Sequence, residues 1–340
     1  MRITIFEARP DDADAFATLG RDHNLRLTPD PLDELTATRH TDAEIVSTFV
    51  HSRLDARVIA EMTALRFIAT RSTGYDHIDA TACRARGIAV ANVPEYGTKT
   101  VAEHTFALLL AVARHLPEAV GRTRSGSFVA DGLEGFDLAG RTLGVIGTGN
   151  IGRHVIRVAK AFDMEVLAYD VVQEPRLATT LGFRYMSLPA LLAQADVISV
   201  HVPATPKTVG LLSHLEFERM KPGVVIINTA RGSVIDSQAL IGALRSGKVA
   251  GAGLDVLPDE ALFRDEARLA AAGRLDPAKR AVLRANRILC EMPNVVVTPH
   301  SAFLTVEAMR RIVACTIENI VAYTRGQPQN IVIGEGVHAT

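Results

Sequence analysis

The chain has 340 residues, of which 48% are hydrophobic and 22% charged, and its formal net charge is −1. This balance provides enough apolar mass for about two domain cores and excludes a disordered chain, a collagen and a small disulfide scaffold. A near-neutral charge without a strongly basic segment argues against nucleic-acid binding. The longest dense apolar stretch, 106–113, is far shorter than the roughly 20 residues that span a bilayer, so no membrane segment is expected.

The N-terminus and the cysteines indicate the compartment. The opening MRITIFEARPDD has a short alternating apolar run followed by acids, which is not the pattern of a signal peptide. Cys83, Cys290 and Cys315 are odd in number and widely spaced, so they suggest buried thiols in a reducing compartment and no metal site. We therefore expect a cytoplasmic protein without a bound metal ion.

Strand-like and helical patterns alternate from the N-terminus onward. Strands are predicted at 2–6, 45–50, 66–70 and 88–91, which suggests a first α/β unit over roughly residues 1–97. The next segment, 101–116, predicts a helix that is apolar on nearly every side. Such a helix should be buried, either between domains or at a subunit interface.

A second α/β series begins at residue 142. Strands are predicted at 142–146, 165–169, 196–202, 224–229, 250–255 and 294–298, and this alternation with helices indicates a parallel sheet covered on both faces. A charged, helical stretch at 259–289 interrupts the series as a surface excursion, a lid or a dimer contact. A final amphipathic helix at 304–323 and a strand at 330–333 could return to the first unit and make it discontinuous.

Residues 142–153 join a predicted strand to an amphipathic helix through Gly147-x-Gly149-x-x-Gly152. In a dinucleotide-binding loop the first glycine permits the tight turn, the second lets the backbone approach a pyrophosphate, and the third lets helix and strand pack closely. The helix N-terminus adds unpaired N–H groups. Asp170 ends the next strand, where it could bind the adenosine ribose hydroxyls. The alternatives are a turn without ligand and an aspartate that caps a strand end.

Three further strand ends in the second series carry polar side chains: Arg231, Glu260 and His300. Each alone could be a surface ion pair, a solvated acid or a loop histidine. Together, at the edge where open α/β sheets bind ligands, they fit one reaction. A guanidinium binds a substrate carboxylate, a histidine supplies a proton near neutral pH, and a neighbouring acid orients that histidine. A nicotinamide cofactor would carry the hydride.

These motifs, read in order, are similar to those of a known family. GTGNIG, DVISVHVPATPKT, NTARGSVID, AGLDVLPDE and TPHSAF, with the upstream RSTGYDHIDATACRARGIAVANVPEYGTKTVAEHT, resemble the D-isomer-specific 2-hydroxyacid dehydrogenases over nearly the whole chain. Ser-Ala-Phe after the histidine, followed by Thr305 and Glu307, most resembles the D-lactate dehydrogenase group.

The resemblance implies an α/β fold of two doubly wound parallel-sheet lobes. A Rossmann nucleotide lobe, 98–300, would be inserted into a flavodoxin-like substrate lobe made of 1–97 and 301–340. It also implies NAD as cofactor, a pyruvate-like 2-oxoacid reduced to the D-2-hydroxyacid, and a homodimer formed through the nucleotide lobe.

The resemblance further implies roles for single residues. Arg231 would bind the substrate carboxylate, His300 would donate the proton in reduction, and Glu260 would pair with His300. Contacts to NAD would come from Gly147, Gly149, Asn150, Ile151, Gly152, Asp170, Val202, Pro203, Thr208, Thr229, Ala230 and Asp255. Contacts to the substrate would come from Thr73, Gly74 and Tyr96, and a hinge-packing role is an equal alternative for Tyr96.

Two features depart from the lactate-type pattern. Gly97-Thr98 follows Tyr96 where such members often have Ser-Pro, and 40 residues separate Glu260 from His300. Two other functions therefore stay open: an NAD-sensing, corepressor-like binding protein, and a dehydrogenase of the same fold for glyoxylate, phosphite or formate.

Overall fold

A computed structural model of the protein describes residues 1–271, 273 and 275–334. The chain forms two compact units, Met1–Tyr96 with Thr305–Thr340 and Gly97–Leu304. The sequence placed the divisions after residues 97 and 300, so residue 97 and residues 301–304 lie in the second unit instead of the first. Residues 335–340 of the predicted substrate lobe lie outside the described residues.

The helices and strands alternate along most of the chain, as the sequence predicted. In chain order they are β1 (Arg2–Ile5), α1 (Pro10–Ala17), β2 (Asn24–Leu27), β3 (Ile45–Thr48), α2 (Ala56–Glu61), β4 (Phe67–Thr70), α3 (Ala80–Ala85), β5 (Ala89–Ala91), α4 (Thr98–Ala113), α5 (Leu116–Arg124), β6 (Thr142–Ile146), α6 (Asn150–Ala161), β7 (Glu165–Tyr169), α7 (Pro175–Leu181), β8 (Arg184–Tyr185), α8 (Leu188–Gln194), β9 (Val197–Val200), α9 (His214–Arg219), β10 (Val224–Asn228), α10 (Ser237–Arg245), β11 (Val249–Leu254), α11 (Ala261–Ala271), α12 (Pro277–Glu291), β12 (Val295–Val297), α13 (Val306–Thr324) and β13 (Ile331–Ile333).

The first unit is built on a six-stranded sheet in the order β13-β5-β4-β3-β1-β2. Every residue of β3 and β4 is buried, because helices cover both faces of a parallel sheet. Successive strand residues point to opposite faces, so Phe67 and Ile68 enter different cores. Phe67 shares its core with Val313 and Ile320 of α13. The C-terminal helix is therefore part of this unit's interior.

The second unit contains a seven-stranded parallel sheet in the order β12-β11-β10-β9-β6-β7-β8. Strand β6 is followed in the chain by its neighbour on one side, β7, whereas its neighbour on the other side is β9. The strand order thus reverses between β6 and β9, and the loops after these two strands diverge. In sheets of this kind the crevice at such a reversal is where ligands bind.

Helix α4 is buried within its own unit. Ala102, Leu108 and Leu109 belong to the same core as strand residues of β6 and β10, and a Cβ built on Gly253 would lie 2.8 Å from Leu108 Cβ. A glycine in β11 thus lets the helix approach the sheet closely. The expectation of burial between domains or at a subunit interface is accordingly replaced by burial in the core of the second unit.

Three local features differ from the sequence prediction. The short edge strands β2 and β8 were not predicted, and β13 runs antiparallel to β5 although the other strand pairs are parallel. The predicted helix 101–116 is two helices, because His115 adopts a left-handed conformation with φ 47° and Pro117 stands in the first turn of α5.

The predicted excursion 259–289 consists mainly of α11 and α12, and residues 272 and 274 lie outside the described residues. Helix α12 begins at a cap made by Asp276, whose side chain accepts a hydrogen bond from Lys279 N, and it buries Leu283 and Leu289. This helix is therefore part of the fold of the second unit. Within the described ranges, no helix has the length and apolarity needed to cross a membrane.

Candidate active site

The loop between β6 and α6 has the shape of a dinucleotide cradle. Gly147 has φ +100°, and a Cβ there would lie 2.7 Å from His201 O in the loop after β9. A Cβ on Gly152 would lie 2.0 Å from Gly147 O, so this helix turn can pack on the loop only without a side chain. Gly149, by contrast, has nothing within 4 Å of its Cβ position. The backbone at Gly149 and at the start of α6, with Asn150 and Ile151, is thus open to a pyrophosphate.

Asp170 lies directly after β7, and hydrogen bonds fix its carboxylate beside this loop. Oδ2 accepts from Thr148 N at 2.6 Å and from Thr148 Oγ1 at 3.0 Å, and Oδ1 accepts from Val172 N at 3.0 Å. Burial by itself raises the pKa of the Asp170 carboxyl, but these hydrogen bonds outweigh burial and hold the pKa below its usual range. An ionised acceptor therefore stands at the edge of the glycine loop.

The remaining predicted cofactor residues follow β9 and β10. Val202 Cγ1 would lie 3.0 Å from a Cβ at Gly147, which places Val202 across the strand reversal from the glycine loop. Thr208 Oγ1 donates to Pro203 O at 2.5 Å and so closes its own turn. Thr229 Oγ1 lies 3.0 Å from Thr105 Oγ1 of α4. The predicted contacts of these residues to NAD stay predictions.

His300 and Glu260 form a direct pair. His300 Nδ1 makes a very short hydrogen bond with Glu260 Oε1, and Glu260 Oε2 also accepts from Leu257 N at 3.3 Å. Both side chains are about two-thirds buried. Because Nδ1 is bound to the carboxylate, the other ring nitrogen, Nε2, points away from Glu260. His300 itself has φ 51°, an uncommon conformation for a residue other than glycine, and such conformations cluster at functional sites.

Asp255 holds the loop that carries His300. Its side chain is 1% exposed, and its carboxylate accepts from Thr298 Oγ1 at 2.5 Å, Ser301 N at 2.9 Å and Ala302 N at 2.9 Å. The backbone oxygen of Asp255 also accepts from His300 N at 2.8 Å. Asp255 was predicted to contact the nicotinamide end of the cofactor, and the structure assigns its carboxylate to this loop.

Helix α4 also reaches Asp255. His104 Nε2 lies 3.4 Å from Asp255 Oδ1 and 3.0 Å from Thr298 Oγ1. Burial by itself raises the pKa of the Asp255 carboxyl, but the hydrogen bonds from His104, Thr298 and the loop backbone outweigh burial and keep the pKa below its usual range.

We expect Asp255→Asn to lower the free energy of unfolding by about 1–3 kcal/mol at pH 7, because buried donors lose their acceptor. A carboxyl whose pKa is lowered in the folded state stabilises it above the ordinary aspartate pKa of about 3.9. That contribution is lost as the pH falls through the lower, folded-state value. The difference from the native protein, measured by urea unfolding, should therefore shrink below about pH 4. A difference that is the same at pH 7 and pH 3 would contradict this, and Asp131→Asn, at an exposed site, is the control.

Arg231 follows β10 in a turn that is fixed by Asn228. Asn228 Oδ1 accepts from Ala230 N at 3.0 Å, and Asn228 Nδ2 donates to Arg231 O at 3.0 Å. The next residue, Gly232, has no room for a side chain, since a Cβ would lie 2.1 Å from the carbonyl carbon of Leu257. The turn that carries Arg231 therefore packs directly on the backbone that leads to Glu260.

The first unit holds the predicted substrate residues on its own strand ends. Thr73 follows β4, where its Oγ1 donates to Val93 O at 2.8 Å, and Ser72 Oγ donates to Gly74 O at 2.6 Å. The backbone oxygen of Tyr96 accepts from Arg311 Nε at 2.9 Å. The structure thus describes ordered loops here, and the predicted contacts of Thr73, Gly74 and Tyr96 to the substrate stay predictions.

Sequence reasoning missed His104, Thr298 and Asn228, which position the site without belonging to the predicted motif residues. Only Asn228 carried a local signal, because an asparagine at a strand end commonly closes a turn through its side chain. His104 and Thr298 are 194 residues apart in the chain, so no spacing rule pairs them. Within the described part of the chain, no group of three or more His, Cys, Asp or Glu side chains is arranged to hold a metal ion.

Comparison with known proteins agrees with this geometry. Residues 106–302 match the family model of the NAD-binding domain of D-isomer specific 2-hydroxyacid dehydrogenases. A D-lactate dehydrogenase of Escherichia coli is 38% identical, over 87% of this chain and 88% of that protein. A glyoxylate reductase of Korarchaeum cryptofilum is 36% identical, over 90% of this chain and 88% of that protein.

Solved structures extend the similarity to both units. The D-lactate dehydrogenase of Aquifex aeolicus, in complex with NAD and lactic acid, superimposes with a TM-score of 0.88 at 34% identity, over 98% of this chain and 100% of that one. The predicted α/β fold class, family and NAD cofactor are thereby confirmed. The chain belongs to the D-isomer-specific 2-hydroxyacid dehydrogenase family and is an NAD-dependent oxidoreductase.

Proposed function

We propose that the protein reduces a small, pyruvate-like 2-oxoacid to the D-2-hydroxyacid, and oxidises the product in reverse. The observation that carries this proposal is the His300–Glu260 pair, which stands beside the Arg231 turn at neighbouring strand ends. Relatives whose names specify D-lactate dehydrogenase support a substrate of the size of pyruvate.

Each of the three side chains has a separate task. Arg231 binds the substrate carboxylate through its planar guanidinium, which matches the two oxygens. His300 donates a proton from Nε2 to the carbonyl oxygen during reduction and accepts it back from the hydroxyl during oxidation. Glu260 binds Nδ1, so it fixes the ring orientation and favours the charged imidazolium. NAD, when bound at the glycine loop, supplies or accepts the hydride.

The test is a panel of 2-oxoacids, including pyruvate and glyoxylate, with NADH consumption as the readout. Oxidation of D-lactate, L-lactate, formate and phosphite with NAD is measured in parallel. We expect pyruvate and D-lactate to give the highest kcat/KM. A clear preference for glyoxylate, formate or phosphite would assign another substrate on the same fold. Tight NADH binding without turnover of any acid would favour an NAD-sensing protein.

We expect NAD(H) to be preferred over NADP(H). An ionised Asp170 accepts hydrogen bonds from ribose hydroxyls and repels a 2′-phosphate. The measurement is kcat/KM with NADH and with NADPH at one 2-oxoacid concentration series, and Asp170→Ala should narrow the difference. An equal or higher kcat/KM with NADPH in the native protein would contradict the assignment of Asp170.

We expect Glu260→Gln to move the alkaline limb of the reduction profile to lower pH. The amide keeps the shape but carries no charge, so the imidazolium loses its stabilising partner and gives up its proton more readily. The pH profile of kcat for pyruvate reduction measures this shift, and oxidation of D-lactate should shift in the same direction. An unchanged profile would show that another acid acts on His300, with Glu95 and Glu103 as the next candidates.

We also propose that the protein is a homodimer formed through the second unit. Helix α5 has no buried residue, and Leu116 and Val120 are exposed on it. Arg122 Nη1 donates to Asp131 O, which folds the following segment back toward α5, and Phe128 there is 90% exposed. An apolar patch of this kind marks a protein interface. Light scattering should give about twice 36.6 kDa, and Phe128→Asp should give monomers. A cytoplasmic location stays a prediction.

A further inference from the structure

An arginine stands at the ribose end of the glycine loop. Arg153 lies in the first turn of α6, and its side chain folds back so that Nε donates to Thr148 O at 2.8 Å. Thr148 is also the residue whose N–H and hydroxyl bind Asp170. The guanidinium of Arg153 and the carboxylate of Asp170 are thus anchored to the same loop residue, one through its carbonyl and the other through its N–H and hydroxyl.

The outer edge of this guanidinium is occupied by an acid. Arg153 Nη2 makes a very short ion pair with Glu174 Oε1. Glu174 immediately precedes α7, yet its side chain makes no cap to that helix. The Arg153 side chain is 31% exposed and that of Glu174 is 48% exposed, so a bound molecule could reach the pair from solvent.

A 2′-phosphate on the adenosine ribose would approach this place. Arginine is the preferred side chain for a phosphate, because its planar fork matches two oxygens at once, and an arginine near the ribose is what accommodates NADP in folds of this kind. The loop therefore contains a residue suited to NADP, together with an acid that already binds it.

We propose that Glu174 is a second residue that determines the preference for NAD, acting by occupying Arg153 rather than by touching the cofactor. Asp170 repels the 2′-phosphate directly, whereas Glu174 removes the one cation placed to bind it in this loop. The inference rests on the proposed preference for NAD(H). It predicts that releasing Arg153 creates affinity for a 2′-phosphate, and that this gain requires the guanidinium.

A hydroxyl chain keeps the loop in this arrangement. Tyr185 OH lies 2.9 Å from Thr148 Oγ1, and Thr148 Oγ1 lies 3.0 Å from Asp170 Oδ2. A hydroxyl has one hydrogen to give, and the ionised carboxylate can only accept, so Thr148 donates to Asp170 and Tyr185 donates to Thr148. The orientation of Thr148, on which both Arg153 and Asp170 depend, is therefore fixed by Tyr185 as well.

The experiment measures binding by calorimetry with two probes, NADPH and adenosine 2′,5′-bisphosphate, and uses NADH for comparison. We expect Glu174→Gln to tighten NADPH binding modestly in the native background and about tenfold in the Asp170→Ala background, which is the low end for hydrogen bonds to a charged group. The bisphosphate should follow NADPH. The gain should weaken with added salt, since the site is partly exposed.

Two matched variants separate the pairing from a general charge effect. Adding Arg153→Gln to Asp170→Ala/Glu174→Gln should abolish the gain, whereas Glu118→Gln, which breaks the ion pair of Glu118 with Arg122 on α5, should produce none. A gain that survives Arg153→Gln, or no gain in either background, would overturn the role of Glu174. Native protein that binds NADPH as well as NADH would instead refute the proposed NAD preference, independently of the Glu174 result.

Discussion

Replacing His300 by alanine should lower kcat for pyruvate reduction by about 10²–10⁴-fold, which is the usual contribution of a positioned general acid. His300 is held for this task at three points: by Glu260 at Nδ1, by the backbone oxygen of Asp255 at its N–H, and by a left-handed backbone conformation. Water can replace the proton but not its position.

The affinity for NADH separates this loss from a general defect. It should change little in His300→Ala, because the imidazole lies after β12 and the glycine loop lies after β6. His214→Ala, at an exposed position on α9, is the matched control and should keep the native rate. A kcat of His300→Ala within a few fold of the native value would refute the assignment of the proton donor.

Replacing Arg231 by alanine should lower kcat/KM for the 2-oxoacid by about 10²–10³-fold, since the substrate carboxylate would enter the site without its counter-ion. Both parameters should change: KM rises because ground-state binding is lost, and kcat falls because the carbonyl is no longer held in place. Arg231→Lys should recover only part of the loss, because an ammonium group cannot form the two parallel hydrogen bonds.

Initial rates over a range of pyruvate concentrations measure both parameters, and calorimetric titration with NADH gives the cofactor affinity. The matched control is Arg245→Ala, at an exposed position in the last turn of α10, which should behave as the native protein. If Arg231→Ala leaves KM for pyruvate unchanged, another group binds the carboxylate.

The parts of the fold and site that could be predicted are those that local sequence determines. The glycine loop needs three glycines at fixed spacing between a strand and a helix, and the geometry of Gly147 and Gly152 shows why no other residue fits there. The strands of both central sheets are continuous apolar runs, which is typical of parallel strands buried on both faces. The edge strands β2 and β8 were missed because they are short and largely exposed.

The parts that could not be predicted depend on contacts between distant residues. The direction of β13 is set by its pairing with β5, which is more than 200 residues earlier in the chain. Asp255 looked like a cofactor ligand because it ends a strand of the nucleotide-binding sheet, and only the structure shows its bonds to the 298–302 loop. Arg153 and Glu174 each read as an ordinary surface charge until the structure showed them paired.

The discontinuity of the first unit sets the order in which the chain can fold during synthesis. Its sheet needs β13 at the edge, and its core needs Val313 and Ile320, which are made after the about 200 residues of the second unit. At a ribosomal rate of 5–20 residues per second, roughly 10–40 s separate the two parts. Phe67 and its neighbours stay without α13 during that interval, whereas the second unit is continuous and can fold as soon as it emerges. The nascent chain therefore carries an unfinished hydrophobic sheet that chaperones can bind.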